Sequence, residues 1–386
     1  MFDLLDSTFG SVGELHFRRF MRSSHTSRWM IGADFVIGEP GAVHDVFAFT
    51  VFPYVDNFPA TLSNITDVFP RDLKRTSIIT DKMVNFLRDT RNFHFCFLFQ
   101  KDRNAGISGE MARAAVARTM QTLQDLTSGG VAEVEERRLS YIKSFRLVEH
   151  ESKARRFKSG NFFNIELLSV LLGTIMLWMV RHSHCDIIGI FPDRDKMTGG
   201  YKGVFGVLTR INHSNFCAKS GLRPVGDILG PSIELLEGNN LFYDPIIRIP
   251  DYIAGAFSRL DYNFKVIDSK KPKHGTLLEK FATDNTNILT IHVFDTAVPL
   301  RASTITLMSR TRQPSLVSTE ELLEYAAAKV RGFLRPRRRS FKQDLLDVAS
   351  ARPHSARMFQ LLMMGVAAGD PRCTAVFNGE ASSMSF

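Results

Sequence analysis

The chain has 386 residues, 44% of them apolar and 23% charged, which fits a globular protein with room for one large domain or two ordinary ones. With 49 Lys and Arg against 40 Asp and Glu the formal charge is +9, a balance that favours acidic partners such as nucleic acid. The four cysteines are scattered, no pair has zinc-site spacing, and no secretory signal precedes them, so reduced thiols and a cytoplasmic location are expected.

The stretch to about Arg28 has no clear period. Trp29–Ile37 reads as a strand with Asp34 inside it, an unusual place for a charge. The turn EPGAVHD and a second strand, Val46–Tyr54, follow as a hairpin. Phe58–Thr76 reads as irregular, with Pro59 and Pro70 as breakers. Asp81–Thr90 ends a helix, and Asn92–Gln100 is a strand with Phe93, Phe95, Phe97 and Phe99 on one face. His94 and Cys96 on the other face are either a metal pair or an ordinary histidine with local partners.

A helix begins at Ser108 with Glu110 near its start and runs to about Asp125. Val131–Lys158 is charge-rich and helical, either lining a groove or forming a solvated face. Phe162–Val180 is strongly apolar. Its core, Leu167–Val180, is short for a bilayer and reads as a buried helix, so no membrane contact is expected. His182, His184 and Cys185 form an HSHC cluster that fits a metal site or a loop at a helix end. Ile187–Asp195, IIGIFPDRD, is a strand closed by Pro192 and followed by Asp193 and Asp195. A turn explains these aspartates without any ligand, and a metal site explains them with one.

TGGYKG, Thr198–Gly203, lacks the arrangement of a nucleotide-binding loop and reads as a turn. A helix follows over Val204–His213, then a loop-rich stretch, Leu222–Tyr243. In Pro245–Tyr262 the expectation is a short strand, Ile246–Ile249, with Pro250 initiating a helix that carries Asp251 in its first turn. Leu277–Phe281 is a short helix and Asn287–Phe294 the final strand. A linker is expected near 300–317. Helical pieces, with the basic run RPRRR at Arg335–Arg339, follow to the end.

The expected architecture is α/β, a mixed central sheet flanked by helices. The main body spans 1–300 with a helical insertion at about 105–160, and a helical C-terminal extension spans 318–386. Asp34 in the first strand, Asp193 at the end of the fourth and Asp251 on a late helix follow the order of acidic residues that the RNase H fold uses. With IRIPDYIAGAFSRLDY, IIGIFPDRD, FFNIELLSVLLGTIM and FHFCFLFQKDR in the same order, residues 28–265 resemble the bacterial domain of unknown function 3800 family. The resemblance implies an RNase H-like fold. It also implies Asp34, Asp193 and Asp251 as metal-binding and catalytic residues, with Mg²⁺ or Mn²⁺ activating a water and stabilising the leaving oxygen of a phosphodiester. Glu166 or Glu110 would supply a fourth carboxylate, Glu166 being preferred. Arg194, Lys196, Lys202 and Arg248 would steer the nucleic-acid backbone.

This chain departs from the family where Asp-Glu-Ser-Gly usually closes the first strand: here the run is GADFVIG. Two functions are therefore carried forward. One is a metal-dependent nuclease, a hydrolase acting on nucleic acid through an Asp cluster. The other is a catalytically degenerate RNase H-like module that binds nucleic acid, or a protein through its C-terminal helices, in a mobile-element or defence system.

Overall fold

The computed structural model describes residues 1–10, 12–101, 109–125, 132–154, 157–193, 198, 203–230, 243–260, 272–294 and 301–307. The chain divides into Met1–Ser309 and Arg310–Phe386. All described residues lie in the first unit; the linker beyond 307, the C-terminal helices, RPRRR, Asp195 and most of TGGYKG lie outside them.

The strands are β1 (Arg28–Val36), β2 (His44–Pro53), β3 (Phe93–Gln100), β4 (Ile187–Pro192), β5 (Asp227–Leu229), β6 (Ile288–Phe294) and β7 (Arg301–Ile305). They form one mixed seven-stranded sheet in the order β5-β4-β1-β2-β3-β6-β7. β1, β2 and β3 are antiparallel neighbours, β1 pairs β4 in parallel, and β4 pairs β5 in parallel. On the other side β6 runs parallel to β3 and antiparallel to β7. β1 to β4 and β6 are buried on both faces, the signature of a sheet covered on both sides, while the edge strands β5 and β7 are largely exposed. Phe93, Phe95, Phe97 and Phe99 pack into one apolar layer with Trp29, Ile31 and Ala33; Cys96 and Leu98 belong to the opposite layer with Met30.

The first layer is covered by α1 (Phe2–Phe9), α2 (Val12–Ser23), α5 (Gly109–Asp125), α6 (Ala132–Ser152), α7 (Ser159–His182) and α8 (Val204–Lys219). α7 is long and apolar enough to cross a membrane by length and composition, and most of its apolar stretch is buried within the protein. α1 and α2 correct the reading of the first 28 residues as patternless. Each is short, and α1 is held by tertiary contacts: Phe9 stacks on Trp178 at 3.9 Å, and Asp6 accepts from Trp178 Nε1 at 2.9 Å and Arg181 Nη1 at 2.8 Å.

The second layer holds α3 (Phe58–Val68), α4 (Asp81–Leu87), α9 (Asp244–Phe257) and α10 (Pro272–Leu277). α3 occupies a stretch expected to be irregular: Pro59 sits in its first turn, where its missing N–H is no loss. A 3-10 turn, Leu73–Arg75, follows, capped by the Asp72 side chain accepting from Lys74 N at 2.6 Å. β7 extends the sheet beyond the strand expected to be last.

α9 is the main correction. Ile246–Ile249 is helical, and the helix starts at Asp244-Pro245 and carries Pro250 in its interior. Proline at 250 removes the N–H that would bond the carbonyl of Ile246. That carbonyl lies against β1 at Gly32: a Cβ added there would stand 2.9 Å from Ile246 O and 2.8 Å from its Cγ2. Burial of the apolar face, from Ile246 to Phe257, against β1 and β2 outweighs the proline. Gly32→Ala therefore has to push α9 off the sheet. The expected outcome is a loss of about 1–3 kcal/mol in denaturant unfolding, the range for overpacking a filled interior; an unchanged midpoint would show that α9 tolerates the displacement.

Candidate active site

Three expected carboxylates line one cleft of about 810 Å³. The β1–β4 pairing runs to Ala33 opposite Pro192, and Asp193 N donates to Ala33 O at 2.8 Å, so Asp34 and Asp193 leave adjacent parallel strands side by side. Met30 and Phe191 pack in the α9 layer, and the two-residue period puts Asp34 and Asp193 on that same face. α9 crosses above and brings Asp251 into the cleft one residue after Pro250.

Asp34 and Asp251 are in hydrogen-bond contact through their carboxyl groups. Each is oriented by a backbone donor: Phe35 N reaches Asp34 Oδ1 at 2.7 Å, and Leu73 N reaches Asp251 Oδ2 at 2.8 Å. Burial, then the charges of Asp251 and Asp193, push the Asp34 carboxyl well above the usual carboxylate range. Burial also raises Asp251, to about 6, against the opposing Leu73 hydrogen bond and with the charges of Asp72 and Asp193 adding to the rise. Two buried carboxyls in contact need a shared proton or a cation between them.

The donor set is carboxylate oxygen on three separate elements, which suits a hard divalent cation such as Mg²⁺ or Mn²⁺ that keeps part of its water shell. Among the described residues no group of three or more His, Cys, Asp or Glu side chains stands at ligating range, so Asp193 acts on the pair through space at this separation.

The other expected site residues are divided. Glu166 lies on α7, in the layer on the opposite side of the sheet, where burial raises its carboxyl and Arg118 acts against that rise. It is not in the cleft, because Ile165 and Leu168 turn that part of α7 into the first layer. Glu110 heads α5, whose buried residues pack into the same layer. Arg248 does line the cleft, but its Nη1 donates to Phe69 O at 2.7 Å and Thr66 O at 3.4 Å, tying α9 to the end of α3. Arg194, Lys196 and Lys202 lie outside the described residues.

The neighbouring metal-pair readings resolve differently. His94 Nε2 donates to Leu87 O at 2.9 Å, which leaves Nδ1 to accept from Thr50 Oγ1 at 3.0 Å. Burial pulls its pKa down to about 4, so it is a neutral core histidine. His182 lies 3.4 Å from Glu14 and His184 2.7 Å from Asp186, two separate pairings.

The sequence reading missed the far wall of the cleft. Arg71, Asp72, Lys74 and Arg75 from the 3-10 turn face it, with Asp244, Arg259, Lys273 and His274. The signal was present as two dense charged runs, RDLKR and KKPKH, each in a stretch without a clear period. Asp72 acts on Asp251 electrostatically, and Asp72, Glu39 and Asp244 are further carboxylates lining the cleft.

Both raised carboxyls hold protons to higher pH in the folded chain than in the unfolded one. Folding takes up protons between an unfolded value of about 3.9 and the folded values. Their contribution is full below pH about 4 and is lost as pH rises, through about 6 for Asp251 and through the raised Asp34 value as well. In chelator, the wild-type melting temperature should fall between pH 4 and 7 relative to Asp251→Asn, by the equivalent of about 1–2 kcal/mol. A divalent cation should restore it at pH 7. Superimposable profiles for the two proteins would show that the pair is not strained by its charge.

No protein-family model matches this chain, and neither a curated protein nor a solved structure matches it.

Proposed function

We propose that this protein is a divalent-metal-dependent nuclease with an RNase H-like fold. The observation that carries the reading is the contact between the Asp34 and Asp251 carboxyls, with Asp193 beside Asp34 on the next strand. Carboxylates from two adjacent central strands and a crossing helix in one cleft are what an RNase H-like site requires, and the basic balance of the chain agrees with a polyanionic substrate.

In this reading Asp34, Asp193 and Asp251 would hold the cation. Mg²⁺ or Mn²⁺, when bound, would supply the positive charge that polarises water and offsets charge developing on a phosphodiester. Phe35 N–H and Leu73 N–H fix one oxygen of Asp34 and of Asp251, so the second oxygen of each is aimed before any ligand arrives. The packed α9–β1 contact keeps bulk water from the floor of the cleft and makes the uncompensated carboxylates costly. Thr198 Oγ1 donates to Asp193 O at 2.7 Å and steadies the backbone at the end of β4.

A second reading, an RNase H-like module that binds nucleic acid without cutting it, is favoured by one observation: among the described residues no three carboxylates stand at ligating range. It predicts salt-dependent binding that chelator leaves unchanged.

One assay separates the two. Labelled single-stranded and duplex DNA, RNA and RNA–DNA hybrid are incubated with the protein in Mg²⁺ or Mn²⁺. Cleavage of at least one substrate is expected, abolished by chelator and reduced about 10²–10³-fold in Asp193→Asn, the range for removing a group that stabilises developing charge. Binding without cleavage on every substrate selects the second reading. Cleavage unchanged in Asp193→Asn removes this cluster from the chemistry.

A further inference from the structure

We propose that the 3-10 turn at Leu73–Arg75 is a rigid shelf for the phosphodiester backbone of a polynucleotide, gripping it through Arg71, Lys74 and Arg75. This deepens the nuclease reading and rests on it: it names what holds the substrate at that cleft.

Three observations carry the proposal. First, Arg71, Lys74 and Arg75 all line the cleft that contains the aspartates, all are exposed, and none makes a salt bridge among the described residues. Other cations at the cleft are already engaged. Arg259 pairs with Glu39 at 3.2 Å, Arg248 donates to Phe69 O, and Lys273 Nζ donates to Leu73 O, Lys74 O and Thr76 O at 2.6, 3.2 and 2.8 Å. An ammonium has three protons, so three carbonyl partners use all of them.

Second, those same bonds make the turn stiff. Lys273 closes its carbonyl side, the Asp72 carboxylate caps Lys74 N, and the Thr76 hydroxyl is hydrogen-bonded to Tyr252 OH. Leu73 packs so tightly on α9 that a Cβ at Gly255 would stand 2.5 Å from Leu73 Cδ2. A turn fixed in this way sets where its cationic side chains leave the backbone, so only those side chains need ordering when an anion binds.

Third, the turn is registered to the acidic floor by a single bond, Leu73 N to Asp251 Oδ2. Cations and carboxylates therefore sit at fixed offsets along one cleft. A carboxylate floor alone repels phosphate; a cationic rim beside it attracts a chain of phosphates and lays one of them over the floor. Arg71 also acts electrostatically on Arg248 beneath it, a like-charge crowding that a bound anion relieves.

The test is fluorescence-anisotropy binding of labelled single-stranded and duplex oligonucleotides to the full chain in Ca²⁺ and in chelator, across a salt series. The R71A/K74A/R75A variant is compared with K143A/R146A/K153A, an equal charge loss from exposed residues of α6 and the chain following it, on the opposite layer. The shelf predicts that the first variant binds about tenfold or more weakly near 100 mM salt. Its slope of log affinity against log salt should shrink by about 2–3, roughly one for each lost phosphate contact. The second variant should bind as wild type does, and both should keep the wild-type melting temperature. Wild-type binding matched by the first variant overturns the shelf alone, as does an equal loss in the second. Failure of the wild-type chain to bind any oligonucleotide overturns both the shelf and the nuclease reading.

Discussion

Helix α9 lies on β1 with no room for a side chain at Gly32, and that contact governs the geometry of the cleft. Gly32 admits the backbone of Ile246, and Gly255, further along the same helix, admits Leu73. Two missing side chains thus stack three pieces of chain: the helix backbone rests on the central strand at Gly32, and the Leu73 side chain of the 3-10 turn rests on the helix at Gly255. Side-chain spacing at either interface would open the cleft and separate the groups that face it.

The contact explains why carboxylates can be held where they are costly. Asp34 and Asp251 are drawn together by the apolar packing of Ile246, Ile249, Ile253 and Phe257 rather than by any attraction of their own. Burial is the first cause of the upward shift of both carboxyls, and the neighbouring carboxylate charges add to it. Backbone N–H donors at Phe35 and Leu73 reduce the cost without removing it. In the metal-dependent reading proposed above, a cation would do at neutral pH what a proton does in acid, and the cost of the charged pair would favour its binding.

Much of this was legible in the residues. Alternation gave β1 to β4 and β6 nearly to their ends, because a sheet buried on both faces demands long apolar strands and leaves Asp34 conspicuous. The order Asp34, Asp193, Asp251 placed all three at one cleft. What was lost depended on contacts distant in sequence. Pro59, expected to break the chain, opens α3, and Pro250, expected to start a helix, lies inside α9, where packing outweighs the missing bond. Glu166 was chosen by proximity in sequence to β4, but the sheet stands between its helix and the cleft. Asp72, in a stretch with no periodicity, reaches the cleft because the 3-10 turn folds back onto α9.

Pro250 has a mechanical consequence for the aperture between the two buried carboxyls. On its N-terminal side, the Ile246 carbonyl rests on β1 and carries no bond to residue 250. On its C-terminal side, Asp251 and Tyr252 are fastened to the 3-10 turn. The ladder of the helix thus skips a rung between the half anchored to Asp34's strand and the half that bears Asp251. The two buried carboxyls meet at that joint, the place inside the helix where the backbone carries no rung.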